Sequence, residues 1–276
     1  MKFKNITHAL FVWVAFTTLC TANEEMIRCP EATKMAINTP YTMEVFILVD
    51  ETTYFTQPVR ENIARNVSAL IKQGAVINII GFSTYTSTHH TSLKLTERIS
   101  RPLRENELYN LRVKGVGEYE KCINTKQEFL KQKALAVLEG MYRPKEQEVA
   151  KSDILWSFQN ISQNAIKPSP FSTKVVLIVS DLLENSSVTS FYKKGDLRKI
   201  ESENELRRVE AEKLFGAFEG SFIFVIGAGA VDVGKSAYRD HHTLQALRNF
   251  WETYFERSGG TLIAMGMPIL ERVIGE

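Results

Sequence analysis

Cysteine is scarce in this chain, which has three in 276 residues and none in a CxxC pair, so thiol redox catalysis is not indicated. The sequence also lacks an HExxH string and internal repeats, which excludes the common zinc-protease motif and repeat arrays. Beyond residue 22 no apolar run approaches the length of a membrane span. We therefore expect no transmembrane helix in the mature chain.

The first 22 residues have the organisation of a secretory signal. Two lysines precede the apolar run Ala9–Leu19, and small residues and then a polar stretch follow it. Cleavage after Ala22 removes two lysines and no acidic residue, which leaves 32 basic and 32 acidic side chains. Such a balanced chain has no basic surface for nucleic acid. We expect an exported protein, periplasmic or secreted, with lipid anchoring at Cys20 as an alternative.

Two cysteines, Cys29 and Cys122, remain after that cleavage. An even number in an oxidising compartment permits one disulfide, which would join the N-terminal tail (23–42) to the middle of the chain. The alternative is two buried free thiols, because a sequence does not give the distance between two Cβ atoms.

Short, continuously apolar strands alternate with amphipathic helical segments from residue 43 onward. This alternation is typical of a mostly parallel sheet covered by helices on both faces. Residues 84–99 alternate in polarity and predict an antiparallel edge strand. We therefore predict one doubly wound α/β domain over 43–276, with a helical elaboration at about 100–150. The parallel strands are predicted at Met43–Asp50, Ala75–Phe82, Lys174–Asp181, Ser221–Gly227 and Thr261–Met267.

Helix boundaries are marked by capping and breaking residues. Between the first two strands, Thr56 is the predicted cap, Pro58 suits the first turn, and Gly74 is the predicted stop. The last helix is expected to end at Gly259-Gly260.

Two of the predicted strands end in aspartate, Asp50 and Asp181. In an open parallel sheet, ligands bind beyond the carboxyl ends of the strands, where the strand order reverses. If these strands are neighbours, the two carboxylates meet there and either hold a hard divalent cation or carry out phosphate chemistry with one. The structural alternative is that both cap helix N-termini or accept backbone N–H groups at the sheet edge.

The sequence FILVDETTY at 46–54 resembles the first strand and metal loop of von Willebrand factor A domains, whose motif is Asp-x-Ser-x-Ser. Three further segments are similar to the second, fourth and fifth strands of that family, namely Ile79–Ser83, Val175–Ser186 and Ile223–Gly229. The resemblance covers about residues 43–270, apart from 100–150. It implies a Mg²⁺-dependent adhesion site that binds protein ligands.

Carried over by position, the resemblance implies four metal ligands, with Thr125 as an alternative to the last of them: Asp50, Thr52, Asp181 and Ser152. Two positions depart from the family pattern. Tyr54 stands where a second serine is expected, and Leu182 stands where glycine usually follows the aspartate. We therefore expect a degenerate metal site, in which Mg²⁺ binding is weak or lost.

The loops that follow the strands are expected to contact a protein ligand. Besides the metal ligands, these loops contain Glu51, Thr53, Tyr54, Ser83, Glu184 and Asn185. Glu184 and Asn185 either support the metal site or cap the next segment. The resulting interpretation is a protein-binding module for adhesion or assembly, without enzymatic activity, whose partner is another protein of the envelope or cell surface.

Haloacid-dehalogenase-like phosphatases also begin with an apolar strand that ends in aspartate. The alternative function is therefore a Mg²⁺-dependent phosphatase with Asp50 as nucleophile, although the acid-base residue two places on is absent.

The string Gly229–Ser236 has Walker A spacing, but only one strand follows it, so ATP is not expected. The pairs His89-His90 and His241-His242 follow strands that are expected to lie about 14 Å apart, so the two pairs are not expected to form one zinc site. We expect them at the surface instead.

Overall fold

The structure is a computed structural model that describes Cys29 and residues 39–83, 91–108, 113–144, 151–193, 196–230 and 241–276. The predicted signal at 1–22, most of the predicted tail and the first half of the predicted edge strand lie outside these ranges. The same holds for His89-His90 and for all but the first two residues of the Walker-like string.

Eight strands occur in the described residues, and six of them form one sheet in the order β3-β2-β1-β4-β7-β8. Every pair in that sheet is parallel except β2 with β3, which is the antiparallel edge. The strands of this sheet are β1 (Met43–Asp50), β2 (Ala75–Phe82), β3 (Ser92–Arg98), β4 (Lys174–Val179), β7 (Phe222–Ile226) and β8 (Thr261–Met265). A separate ribbon consists of β5 (Tyr192–Lys193) and β6 (Asp196–Leu197).

Helices cover both faces of the sheet, so the predicted doubly wound α/β class is confirmed. They are α1 (Gln57–Leu70), α2 (Glu105–Leu108), α3 (Val113–Met141), α4 (Ile154–Ile161), α5 (Ser202–Ala211) and α6 (His241–Arg257). A π-helical turn at Ser162–Ile166 continues α4. In the described part of the chain, no helix combines the length and the apolar character that a membrane crossing requires.

The core consists of two clusters, one on each face of the sheet. Alternate residues of β1 belong to different clusters because side chains of a strand point to opposite faces: Val45, Ile47 and Val49 to one, Phe46 and Leu48 to the other. The first cluster contains residues of α1 and α3, and the second contains residues of α4, α5 and α6. The segment 100–150, interpreted from sequence as an elaboration, thus supplies in α3 a helix of the main core.

Helix α1 begins directly after Thr56, the predicted cap, although the Thr56 side chain makes no capping hydrogen bond because Pro58 in the first turn lacks one of the N–H groups that it would accept from. Other boundaries differ from the prediction. Helix α1 ends at Leu70, before the predicted stop at Gly74, which instead takes a left-handed turn with φ 86°. Strand β4 ends at Val179 because the chain turns at Ser180, whose hydroxyl bonds to the next loop.

A disulfide joins Cys29 to Cys122, with Cα atoms 5.5 Å apart, so the bonded alternative is the one that the structure adopts. Cys29 also packs against the cluster that contains α1 and α3. The bond closes a sequence separation of 93 residues and so fixes a tail residue on α3. A crosslink over such a distance restricts the unfolded chain strongly.

Removing this crosslink is expected to lower stability. We predict that Cys122→Ser reduces the free energy of unfolding by about 2–5 kcal/mol in urea titrations under oxidising conditions. Cys29→Ser should match it. Dithiothreitol should lower the wild type to the level of the variants and leave the variants unchanged, and a wild type that is insensitive to dithiothreitol would contradict the bond.

Candidate functional site

The strand order reverses between β1 and β4, which lie side by side and parallel. From the sequence, the carboxylates of Asp50 and Asp181 are expected to meet only if these two strands are neighbours, and they are. The register pairs Val49 with Val179, so Asp50 and Ser180 are the next residues at the carboxyl edge. This edge, at the reversal of strand order, is where ligands bind in doubly wound sheets.

The Asp50 carboxylate is completely buried and accepts three hydrogen bonds. Oδ1 accepts from the Thr52 backbone N–H at 2.9 Å and from the Thr52 hydroxyl at 2.5 Å, and Oδ2 accepts from the Ser180 hydroxyl at 2.7 Å. Burial raises the pKa of Asp50 above its usual range, against the lowering effect of these donors. The carboxylate therefore fixes the loop after β1 and the end of β4 together.

Ser152 lies beside Thr52, with 3.1 Å between the two hydroxyl oxygens. Its backbone forms an isolated antiparallel bridge with Asn185, in which each N–H donates to the other residue's carbonyl oxygen. Asn185 therefore holds Ser152 in place through the main chain. The structure thus brings together Asp50, Thr52 and Ser152, three of the four sequence-predicted ligands.

Glu184 caps helix α4 from a distance of 30 residues in sequence. Its Oε2 accepts from the N–H groups of Ile154 and Leu155, both at 2.9 Å, at the positive end of the helix. Burial raises the pKa of Glu184 to about 8, and the nearby charge of Asp153 adds to the effect. From the sequence, Glu184 is expected either to support the metal site or to cap the next segment, whereas the helix that it caps lies earlier in the chain.

Asp181, the fourth predicted ligand, contacts Leu183 in its own loop and Gly229 in the loop after β7. Its Oδ1 accepts from the Leu183 N–H at 2.9 Å, and its carbonyl oxygen accepts from the Gly229 N–H at 2.8 Å. The side chain that reaches Asp50 from β4 is instead that of Ser180, which the sequence analysis missed. A polar residue at the end of the apolar run Val175–Val179 was the available signal.

Leu182 occupies the position where glycine is usual and takes the backbone conformation that glycine favours, with φ 57°. A left-handed conformation costs a non-glycine residue about 1–2 kcal/mol. The Leu182 side chain is completely buried, and its carbonyl oxygen accepts from Trp251 Nε1 at 2.9 Å. Burial and this hydrogen bond offset the strain, so the turn persists without glycine.

The other predicted loop residues have separate places. The Glu51 carboxylate lies 2.8 Å from Lys94 Nζ on β3, and Thr53 is buried under the loop. The Arg60 guanidinium carbon lies 5.9 Å from the centroid of the Tyr54 ring, within the range of a cation–π contact. Ser83 is half-buried directly after β2.

The donors at this edge are of the kind that Mg²⁺ prefers. Neighbouring ligands of an octahedral Mg²⁺ lie about 2.9 Å apart, and the Thr52 and Ser152 oxygens are 3.1 Å apart beside a carboxylate. Across the described ranges, no three His, Cys, Asp or Glu side chains are grouped to hold a metal. His241 and His242 are exposed at the start of α6, as predicted. The Thr52 and Ser152 hydroxyls would therefore hold such a cation, with the buried Asp50 carboxylate hydrogen-bonded to Thr52 beside them.

No family model matches the sequence, and no curated protein matches it. Among solved structures, the chain is similar to an aerotolerance-related membrane protein from Bacteroides fragilis with multiple mutations to serines (13% identity, TM-score 0.35, 83% of this chain and 92% of that one). It is also similar to the pilus adhesin SpaC from Lactobacillus rhamnosus GG (10%, 0.39, 78% and 26%) and to the conserved hypothetical protein BatB from Bacteroides thetaiotaomicron (14%, 0.35, 81% and 90%). The fold assignment rests on this chain's own strand order.

The buried cap predicts a pH dependence of stability. The pKa of Glu184 is about 8 in the folded protein, so between pH 4.5 and 8 the folded state holds a proton that the unfolded chain releases. The stabilisation is complete below pH 4.5 and is lost as the pH rises through 8. Relative to Glu184→Gln, which does not titrate, the wild type should lose on the order of 4 kcal/mol between pH 5 and 8.

Urea titrations at several pH values measure this difference. Glu203→Gln on the exposed face of α5 is the matched control, and its pH profile should follow that of the wild type. Parallel profiles for wild type and Glu184→Gln would show that the Glu184 carboxyl does not titrate in this window.

Proposed function

We propose that this chain is an exported protein-binding module, for adhesion or assembly, with a fold like that of von Willebrand factor A domains. The observation that carries the proposal is the cluster of Asp50, Thr52, Ser152 and Ser180 at the reversal of strand order. Four polar side chains from three separate segments meet where this class of sheet binds ligands. The loops around them form the contact surface for the partner.

Export is supported by two independent features. The sequence at 1–22 has the order of a secretory signal, and the Cys29–Cys122 bond needs an oxidising compartment to persist. We infer a periplasmic or secreted location and a partner protein from the same compartment.

A divalent cation is the second part of the proposal. Mg²⁺ at Thr52 and Ser152 would leave coordination positions for a carboxylate of the partner, and the charge of Asp50 would compensate the cation. The absence of a third acidic or histidine ligand among the described residues makes this site weaker than a full carboxylate cage.

The geometry does not favour the phosphatase alternative. A nucleophile has to reach the phosphorus atom, whereas the Asp50 side chain has no exposed surface and both its oxygens accept hydrogen bonds. Thr52, at the place of the acid-base residue, donates its hydroxyl hydrogen to Asp50. We therefore do not propose phosphoryl transfer for this chain.

Magnesium should raise the melting temperature of the mature protein. At about ten times the dissociation constant, binding stabilises by ~1.4 kcal/mol, which corresponds to about 3–6 °C for a domain of this size. Ser152→Ala should abolish the increase by removing one ligand. Ser169→Ala, a serine at the opposite edge that bonds to Glu44, should retain it. If neither Mg²⁺ nor Mn²⁺ shifts the wild-type melting temperature, the cation-dependent version is wrong.

Partner binding should depend on the same edge of the sheet. We expect immobilised wild type and Ser169→Ala to retain the same protein from the envelope fraction of the host, and Thr52→Ala with Asp50→Asn to lose it. Far-ultraviolet circular dichroism verifies that the variant is folded. Retention of identical proteins by all three forms would place partner binding elsewhere or show that it is non-specific.

A further inference from the structure

A polar cavity of about 710 Å³ opens between the loop 186–190 and the start of α5. Its lining is hydroxyl and charged groups, with scarcely any apolar surface. We call it the arginine pocket, and the residues used below are Ser187, Thr189, Arg198, Lys199, Glu205 and Arg208. Its volume lies in the range of ligand-binding cavities.

The base of the arginine pocket is a buried ionic network. Glu205 is buried, and its two oxygens accept from the Thr189 hydroxyl at 2.6 Å and from Arg198 Nη2 at 2.8 Å. Arg198 Nε donates to the Ser190 carbonyl oxygen at 2.6 Å. Because each of these groups is held by another, the base of the pocket is preorganised.

The mouth of the arginine pocket has an excess of positive charge. Three cationic side chains line the pocket against two carboxylates. Glu205 already forms an ion pair with Arg198. Arg208 Nε lies 3.9 Å from the same carboxylate, and 61% of the Arg208 side chain is exposed. Lys199 is exposed as well. An anion entering the mouth would balance this charge.

The arginine pocket is adjacent to the candidate site. Asn185 forms one bridge with Ser152 and another with Ser190, so these three residues lie across neighbouring segments. Paired segments are about 4.8 Å apart, which places Ser190 about 10 Å from Ser152. One partner protein would therefore reach both places.

We propose that the arginine pocket binds aspartate or glutamate side chains of a protein ligand, with Arg208 and Lys199 as the charged contacts and the Ser187 hydroxyl as a further donor. The class of partner rests on the proposed function, and the charge argument is independent of it. No aromatic ring lines the pocket in the described residues, so it offers no flat apolar face for a sugar ring. Acidic peptide is therefore favoured over acidic polysaccharide.

The test measures fluorescence anisotropy of a labelled hexaglutamate peptide with the mature protein at 50 mM NaCl. Arg208→Gln and Lys199→Gln should each weaken binding about 1.5- to fivefold, because exposed charge pairs contribute modestly. The double reversal Arg208→Glu with Lys199→Glu should abolish it. Lys167→Gln, which makes the same charge change at the opposite edge of the sheet, should bind like the wild type.

Several results would overturn the proposal: wild-type affinity in the double reversal, equal binding of hexaglutamine, or binding of oligogalacturonate in place of the peptide. Thermal melting verifies that the double reversal is folded, which we expect because both side chains are exposed.

The same titration separates this inference from the proposed function. If hexaglutamate binding survives EDTA and Thr52→Ala but not the double reversal, the arginine pocket is established whatever becomes of the cation site. If EDTA or Thr52→Ala abolishes binding while the double reversal leaves it intact, the peptide occupies the candidate site and the inference about the pocket fails.

Discussion

A carboxylate removed from water has to be satisfied by donors, and around Asp50 this requirement organises the carboxyl edge of the sheet. The three donors come from Thr52 and Ser180, so one buried group ties the turn after β1 to the end of β4. Ser180 in turn accepts from the Leu182 N–H at 3.0 Å, which starts the next loop. The geometry of the candidate site thus follows from satisfying one side chain at the point where the strand order reverses.

A second buried carboxylate, Glu184, does the same for the neighbouring segment. By accepting the first N–H groups of α4, it fixes the start of that helix and, with the Asn185 bridge, the preceding Ser152. The two carboxylates have different consequences. Asp50 holds together Thr52 and Ser180, which would face a ligand. Glu184 instead holds the start of α4, the helix that follows Ser152. Asp50 accepts three hydrogen bonds, and Glu184, whose raised pKa favours the protonated form up to about pH 8, accepts two at Oε2.

The sequence predicts the fold better than the site, and particular residues show why. The bounds of β1 and β2 are correct at both ends because these strands are largely buried and therefore largely apolar. The role of Ser180 depends on the register of β1 with β4, which a single sequence does not contain. The capping by Glu184 spans 30 residues and has no local signal. Ser152 was a candidate only through the family resemblance, and its position beside Thr52 comes from main-chain pairing with Asn185.

The paired main chains of Ser152, Asn185 and Ser190 have a mechanical implication. Main-chain pairing fixes the distance between Ser190 and Ser152 more closely than contacts between rotatable side chains would. The candidate site at Ser152 and the arginine pocket at Ser190 would then be two binding positions with a fixed spacing of about 10 Å. This fixed spacing would favour a ligand whose binding groups are the same distance apart. A ligand with the same groups at a different distance would bind at only one of the two positions.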